Sequence, residues 1–415
     1  MFTFILELWG SQTECFLAAA ANEGPESPNM ITSLERSHLA LKVLRKLVIH
    51  GFKKPHEHRE VIVFIESIFG RIKVMLGFRK QNENHEHIKK ISEKYIILLT
   101  KILLDLHENF PFSYLDFIKS SLDLAVYYVF TEAGDGILFE RFIVQCLNLV
   151  KGLLVCPEYK PCKVLEDTKD PNTLVAHRLK TEFFTESVLV GMCHKLILHY
   201  FLLTQDDLEV WDSDPEGFCM DVEGGESWKY SLRPCTETLF TLLFHEYRTY
   251  LNPVIMEFVR MSHNHVQPSD FQGILQKDAI YNAVGLAAFE LFDEIEFDSW
   301  FNNILINELK IKDSNYRIIR RRIIWLIGKW TGVKFAQENR PVLYELCINL
   351  LSSEEDFVVR LSTALTLKSS IDEFEFDPDQ FMTYLPSIFG LLFNLLKEAH
   401  ECDTKMQVSV IYFIF

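Results

Sequence analysis

The sequence predicts an all-α solenoid of stacked, antiparallel helix pairs. Three observations carry that expectation. Helix breakers are scarce, with 17 Gly and 14 Pro in 415 residues, and the abundant Leu, Ile and Phe favour long helices over short strands joined by turns. Apolar residues recur at helical spacing nearly throughout, and no segment shows a convincing two-residue alternation. An internal repeat with an offset of 40 residues is visible in the last third of the chain, the spacing of two-helix repeats.

The elements follow from local signals. Pro25–Pro28 mark a loop before the first clear helix. Ser33 caps that helix, Leu34, Leu41, Leu44 and Val48 share one face, and Gly51 followed by Pro55 ends it. A second helix runs near Val61–Leu76 and closes at Gly77. Others are expected near Ile88–Leu106, Tyr114–Phe130, Leu138–Leu154 and Thr181–Leu203, with Val155–Pro171 a Pro-containing insertion. The series resumes near Cys235–Tyr250, Pro253–Met261, Phe271–Phe292, Ser299–Leu309, Tyr316–Trp330, Arg340–Leu351, Asp356–Ser370 and Asp379–Ala399. Val408–Phe415 forms a last apolar helix.

The repeat aligns Tyr316–Ile327 with Asp356–Leu367, matching Arg320 to Arg360. Asp278-Ala-Ile-Tyr-Asn-Ala is a weaker third copy 78 residues before Asp356, with Asn282 where the others carry Arg. Asp356-x-Val-Val-Arg360 with Ala364 and Leu367 resembles the second helix of a HEAT repeat. Each helix pair leaves an apolar face that only a stacked neighbour covers, and about eight such pairs fit residues 1–415 as one continuous HEAT-repeat array.

One segment interrupts the rhythm. Residues 205–228 hold nine acids and no Lys or Arg: Asp206, Asp207, Glu209, Asp212, Asp214, Glu216, Asp221, Glu223 and Glu226. With Pro215, Gly217, Gly224 and Gly225 this composition predicts a projecting acidic loop. Such a loop either attracts basic partners or is an ordinary solvated surface. Arg320, Arg321 and Arg322 are the second charged feature. One or two are expected to pair with acids of neighbouring repeats. Successive helical residues point about 100° apart, so at least one should face outward or onto the concave surface, available to an acidic partner or to the chain's own acidic segment.

Composition excludes several function classes. The formal charge is -16, opposite to the basic face a nucleic-acid binder needs. The longest uncharged run, 17 residues between Asp379 and Lys397, contains Pro386 and falls short of the roughly 20 needed to span a bilayer. The N-terminus has no basic leader region, and Glu7 interrupts its apolar start. Nine cysteines, mostly within apolar helical runs such as those of Cys146, Cys193 and Cys347, read as reduced, buried, intracellular thiols.

No nucleotide-binding, hydrolase or zinc-protease motif occurs. Cys156 and Cys162 have no second pair at zinc spacing, and the His pairs 56/58, 85/87 and 263/265 are two apart and do not share a helix face. No catalytic, cofactor or metal site is expected. A protein-binding array remains, and a fixed scaffold of a stable complex is one reading open to it.

Longer stretches carry a family resemblance. Trp211-Asp-Ser-Asp-Pro215-Glu-Gly, Ser227 to Thr236, Asp278 to Ala288, Arg320 to Trp330, and Thr366-Leu-Lys with Phe374-Glu-Phe376 occur in order. Together they resemble the middle of the importin-beta superfamily of nuclear transport receptors. The resemblance covers roughly Leu34 to Met406, with a weaker extension back to Trp9. It implies a receptor that shuttles between cytoplasm and nucleus, binds protein cargo, touches Phe-Gly nucleoporins, and releases cargo when GTP-bound Ran GTPase binds. Ubiquitin-conjugating enzymes and a ribosomal protein are the cargo it suggests. The family's N-terminal repeats, which make the principal Ran contact, have no counterpart before Met1, and Ser409–Phe415 stops inside a family helix. The chain therefore reads as an internal piece of a longer receptor, expected to bind Ran weakly by itself.

Overall fold

The computed structural model describes residues 1–164, 168, 170–223, 229–374 and 376–409. Its regular elements are all helical, and no strand occurs among the described residues. In chain order the helices are α1 (Phe2–Glu23), α2 (Pro28–Gly51), α3 (Arg59–Gln81), α4 (Glu86–Asn109), α5 (Ile118–Phe130), α6 (Glu140–Val155), α7 (Pro171–Phe183), α8 (Glu186–Lys195), α9 (Gln205–Ser213), α10 (Pro215–Glu223) and α11 (Leu232–Ser262). They continue with α12 (Phe271–Leu286), α13 (Phe297–Trp300), α14 (Ile306–Leu309), α15 (Arg317–Trp330), α16 (Arg340–Leu350), α17 (Phe357–Ile371), α18 (Pro378–Phe381), α19 (Leu385–Glu398) and α20 (Cys402–Ser409). The expected apolar helix Val408–Phe415 lies outside the described residues from position 410 onward.

Several boundaries differ from the sequence reading. α1 precedes the first helix expected; it buries Phe2, Trp9, Thr13 and Phe16, a narrow stripe among many small or polar residues. The two helices expected around Pro253 run together as α11, with the break between them at Tyr247, which leaves helical geometry (φ -126°), rather than at Pro253. The segment expected as Thr181–Leu203 breaks between α7 and α8, then widens into a π-turn at Leu196–Tyr200.

The helices cluster into two compact units, Met1–Met192 with Lys229–Cys235, and Cys193–Trp228 with Thr236–Phe415. In the first, α1 and α2 pack along their lengths, α3 packs on α4, and α4 touches α2 and α6. Gly24 stands at φ 94° between α1 and α2, a left-handed turn that suits glycine. The Ser27 hydroxyl then accepts the Met30 N–H at 3.1 Å and starts α2. Trp9 donates its indole N–H to Tyr95 Oη at 2.6 Å, and Ser37 Oγ lies 2.7 Å from the same hydroxyl. This shared, fully buried phenol ties α1, α2 and α4 together.

The second unit is built in two layers. α12, α15, α17 and α20 are successive neighbours in one layer. The run α13, π-turn Phe301–Leu305 and α14, then α16 and α19, supplies the other. α15 and α17 begin at Arg317 and Phe357, so the 40-residue offset read from the sequence is the step from one layered pair to the next.

Ion pairs repeat along this array, two of them buried and the third with its arginine buried and its acid exposed. Lys277 of α12 contacts Glu308 of α14, which also accepts the Tyr281 hydroxyl at 2.8 Å. Arg320 of α15 holds Glu355, just ahead of α17, through two N–H donors at 2.7 and 3.0 Å. Arg360 of α17 grips Glu398, at the end of α19, with donors at 2.5 and 3.0 Å. Each rung joins a helix of the first layer to an acid at the end of the following segment of the second. Burial of this kind demands good geometry, because the desolvation cost of each ion is several kcal/mol.

Candidate functional site

The acidic segment expected as a projecting loop is a pair of helices, α9 and α10. The composition argument failed because short-range capping outweighs it. Thr204 and Asp207 form a reciprocal capping box: the Thr204 hydroxyl accepts the Asp207 N–H at 3.1 Å, and the Asp207 carboxylate accepts the Thr204 N–H at 2.7 Å. Carboxylates in the first turn also meet the positive end of the helix dipole. Asp214 repeats the device, accepting the Gly217 N–H at 3.0 Å with Pro215 opening α10. A Cβ on Gly217 would sit 2.2 Å from an Asp214 oxygen, so a side chain there would push the capping carboxylate aside.

The pair is docked rather than projecting. Trp211 and Phe218 are each 2% exposed, their rings 4.8 Å apart. The Trp211 indole donates to the Asp356 carboxylate at 3.1 Å. Arg317 of α15 lies 5.2 Å over the same indole, pairs with Asp212 at 2.7 Å and reaches Asp356 at 3.2 Å. Glu216 is buried, its two oxygens accepting the N–H groups of His400 and Glu401 at 2.7 and 2.9 Å, immediately before α20. Burial pushes the Glu216 carboxyl up, but those N–H donors hold it below its usual range.

The nine acids thus divide by role. Asp207, Asp214 and Glu216 fix local structure, and Asp212 holds Arg317. Asp206, Glu209 and Asp221 are exposed, as are the outer edges of Asp212 and Asp214. The Glu223 side chain and Glu226 lie outside the described residues. The outward-facing carboxylates form an acidic surface on α9 and the start of α10.

The expectation of an outward guanidinium in the triple arginine is overturned, and Arg321 alone turns toward the chain's own acidic segment. Arg320, Arg321 and Arg322 are 4%, 1% and 1% exposed. α15 is enclosed by α12 on one side and α17 on the other, with α9–α10 across it, so no face reaches solvent at these positions. Arg320 holds Glu355 and donates to the carbonyls of Ile311 and Asp313. Arg322 turns back to α12, donating to Asp278 at 2.9 Å and Asn282 at 2.6 Å. Arg321 lies against Phe218, with its guanidinium 5.5 Å from the ring, and 4.0 Å from Asp278.

The accessible cation of α15 is Lys329, next to Trp325, whose ring also carries Arg322 at 4.8 Å. Trp325 and Lys329 border a cavity of about 510 Å³ between α15 and α17, with Ser362, Thr366, Lys368 and Asp372 among its walls. The spacing of Trp325 and Lys329, four apart on one helix face, was the available signal for it. Arg317, the residue that binds α9, stands three before the triple arginine and was missed because it falls outside that run. No group of three or more metal-ligating side chains occurs among the described residues. No single helix there is long and apolar enough to cross a membrane.

No family model matches the chain. Over 408 residues it is 48% identical to importin-11 of Homo sapiens, an alignment covering 98% of this chain and 41% of that protein. It is 28% identical over 398 residues to the importin beta-like protein KAP120 of Saccharomyces cerevisiae, covering 91% of this chain and 38% of that one. The chain therefore spans about two fifths of the length of these curated relatives. Among solved structures it is similar to Lph2, a bidirectional nuclear transport receptor of S. cerevisiae. The TM-score is 0.76 and the identity 26%, over 96% of this chain and 40% of the other. The all-α repeat class read from the sequence is the fold this likeness shows.

Proposed function

The chain is homologous along nearly its whole length to the importin beta-like nuclear transport receptors, and from that premise we propose that it forms part of the protein-binding array of such a receptor. It takes up protein cargo on one side of the nuclear pore and releases it on the other under the control of GTP-bound Ran, shuttling between cytoplasm and nucleus. The observation that carries this reading is the 48% identity over 408 residues, which includes the docked acidic pair as well as the repeats. Contacts with Phe-Gly nucleoporins belong to the same proposal. Ubiquitin-conjugating enzymes and a ribosomal protein are the first cargo to test. The role is one of binding rather than catalysis.

The acidic surface of α9–α10 is the part of the site proposed to meet basic partners. It is rigidly held by Trp211, Arg317 and Glu216, so its exposed carboxylates are presented at fixed positions, which lowers the ordering cost of binding. Complementary charge of this kind raises encounter rates and selects partners more than it adds affinity.

The test is a pull-down from cytosol on the immobilised receptor with and without GTP-bound Ran. Cargo that leaves when Ran is added supports the carrier reading. Partners that stay bound under both conditions support a fixed scaffold instead.

A further inference from the structure

We propose that Lys42 on α2, with Lys94 and Lys101 on α4, forms a docking surface for an acidic segment of a partner protein. The surface lies within the first unit, on helices that have no part in the acidic surface of α9–α10.

The geometry comes from two adjacent helices. α2 and α4 pack side by side, and two contacts fix their register. The His38 ring lies 5.9 Å from that of Tyr95, and Arg45 pairs with Asp105. The earlier residue of one helix meets the earlier residue of the other, so the two run parallel. Lys42 falls between these contacts, level with the middle of α4. Between Ile91 and Leu104, Lys94 and Lys101 are the exposed residues of α4. They share one face two turns apart, about 10 Å along the axis. The acids nearest to them in sequence are already engaged. Glu93 turns to Arg79 of α3 at 2.7 Å, and Asp105 holds Arg45.

The three lysines are unlike others of this unit. Lys80, Lys89, Lys90 and Lys119 each pair with an acid three or four residues away. Among the described residues Lys42, Lys94 and Lys101 form no ion pair. In a chain of formal charge -16, unpaired cations gathered on neighbouring helices stand out. Their field is felt locally. Burial, and then the ammonium groups of Lys42 and Lys94, hold the His38 imidazole down at about 4. An arriving carboxylate need not win these cations from a resident acid, and it relieves their mutual repulsion. The patch is short and the chain around it is acidic, which suits a brief run of carboxylates and repels a long phosphate backbone beyond the patch. A fixed scaffold would use such a surface as readily as a carrier does, so it stands independently of the carrier reading.

The probe is fluorescein-labelled octaglutamate, titrated by fluorescence anisotropy into the full chain at low ionic strength, where exposed charges are least screened. One variant combines Lys42→Gln, Lys94→Gln and Lys101→Gln. A second combines Lys53→Gln, Lys73→Gln and Lys160→Gln, which lie in the same unit and change the net charge equally. All of these positions are exposed, and circular dichroism checks that both variants stay folded. The first variant is expected to lose about tenfold or more in affinity, and the second less than about twofold. Equal losses in the two variants overturn the proposal, because net charge alone would then account for the binding. Absence of binding to the unaltered chain at about millimolar peptide overturns it too. So does a labelled oligouridylate of the same length that binds more tightly than octaglutamate and is lost in the first variant, since the surface would then be one for a phosphate backbone.

Discussion

Trp211 and Asp356 lie 145 residues apart in the chain and meet at 3.1 Å, indole N–H to carboxylate. The same carboxylate accepts the Val358 N–H at 2.9 Å, so one residue both starts α17 and anchors the acidic helices. An apparently peripheral segment is thereby tied to the repeat array.

Replacing Trp211 should therefore behave as a core lesion. Trp211→Ala is expected to cost about 3–5 kcal/mol. Trp211→Phe keeps most of the packing and loses a hydrogen bond to a charged acceptor, about 1.5–3 kcal/mol. Urea unfolding of both variants measures this. Unchanged midpoints would mean that the segment is an appendage after all.

The Arg320–Glu355 rung makes a second case. Glu355→Ala strands a buried guanidinium and should destabilise by about 3–5 kcal/mol. The double replacement Arg320→Met with Glu355→Leu should recover most of that loss, since a buried pair contributes little beyond an apolar pair of similar volume. If the double variant is as unstable as the single one, Arg320 does something more than balance Glu355.

Acid should weaken the second unit through the same carboxylates. Burial pushes Glu355 up, but Arg320, the Asp356 N–H and Lys312 hold it below its ordinary value near 4.5. The Arg360 guanidinium does the same for Glu398. A carboxyl more acidic in the folded than in the unfolded state stabilises fully above its unfolded value, and the stabilisation is lost as pH falls through the folded one. Melting temperature should hold between pH 7 and 5 as far as these groups are concerned, and fall below about pH 4.5. Glu355→Gln lowers stability at neutral pH and should make the acid slope shallower; an unaltered slope would remove Glu355 from the account.

The exposed acids are expected to act on binding alone. Glu209→Gln with Asp221→Asn should change stability by no more than about 0.5 kcal/mol. The pair should reduce both the affinity for a basic ligand and its salt dependence, because exposed charges are screened beyond roughly 8 Å at physiological ionic strength. Calorimetric titration with an oligolysine at two salt concentrations reads both. An unchanged salt dependence would leave these carboxylates as solvation only.

Much of this was legible in the sequence. Helical spacing located most elements of the second unit, and the match of Arg320 to Arg360 gave the repeat before any coordinates. What misled was composition counted over a window. Nine acids in residues 205–228 outweighed two features at single-residue scale, the Thr204/Asp207 box and the Asp214-Pro215 start, each of which opens a helix. The three arginines misled differently. Helical geometry correctly sends them in three directions, but it does not say that every direction is covered. α12 covers Arg322, the Glu355 link covers Arg320, and α10 covers Arg321; those are facts of tertiary packing from distant parts of the chain.

The ionic rungs have a consequence for how such a chain changes over time. They bridge 31, 35 and 38 residues for Lys277–Glu308, Arg320–Glu355 and Arg360–Glu398, so the intervals differ while the pairing persists. Charge, rather than a constant unit length, tells each helix where to settle. Insertions and deletions in the links can then accumulate without shifting neighbours out of line, whereas loss of one charged partner is felt at once. An array marked in this way can lose all obvious periodicity in its letters and still fold in order.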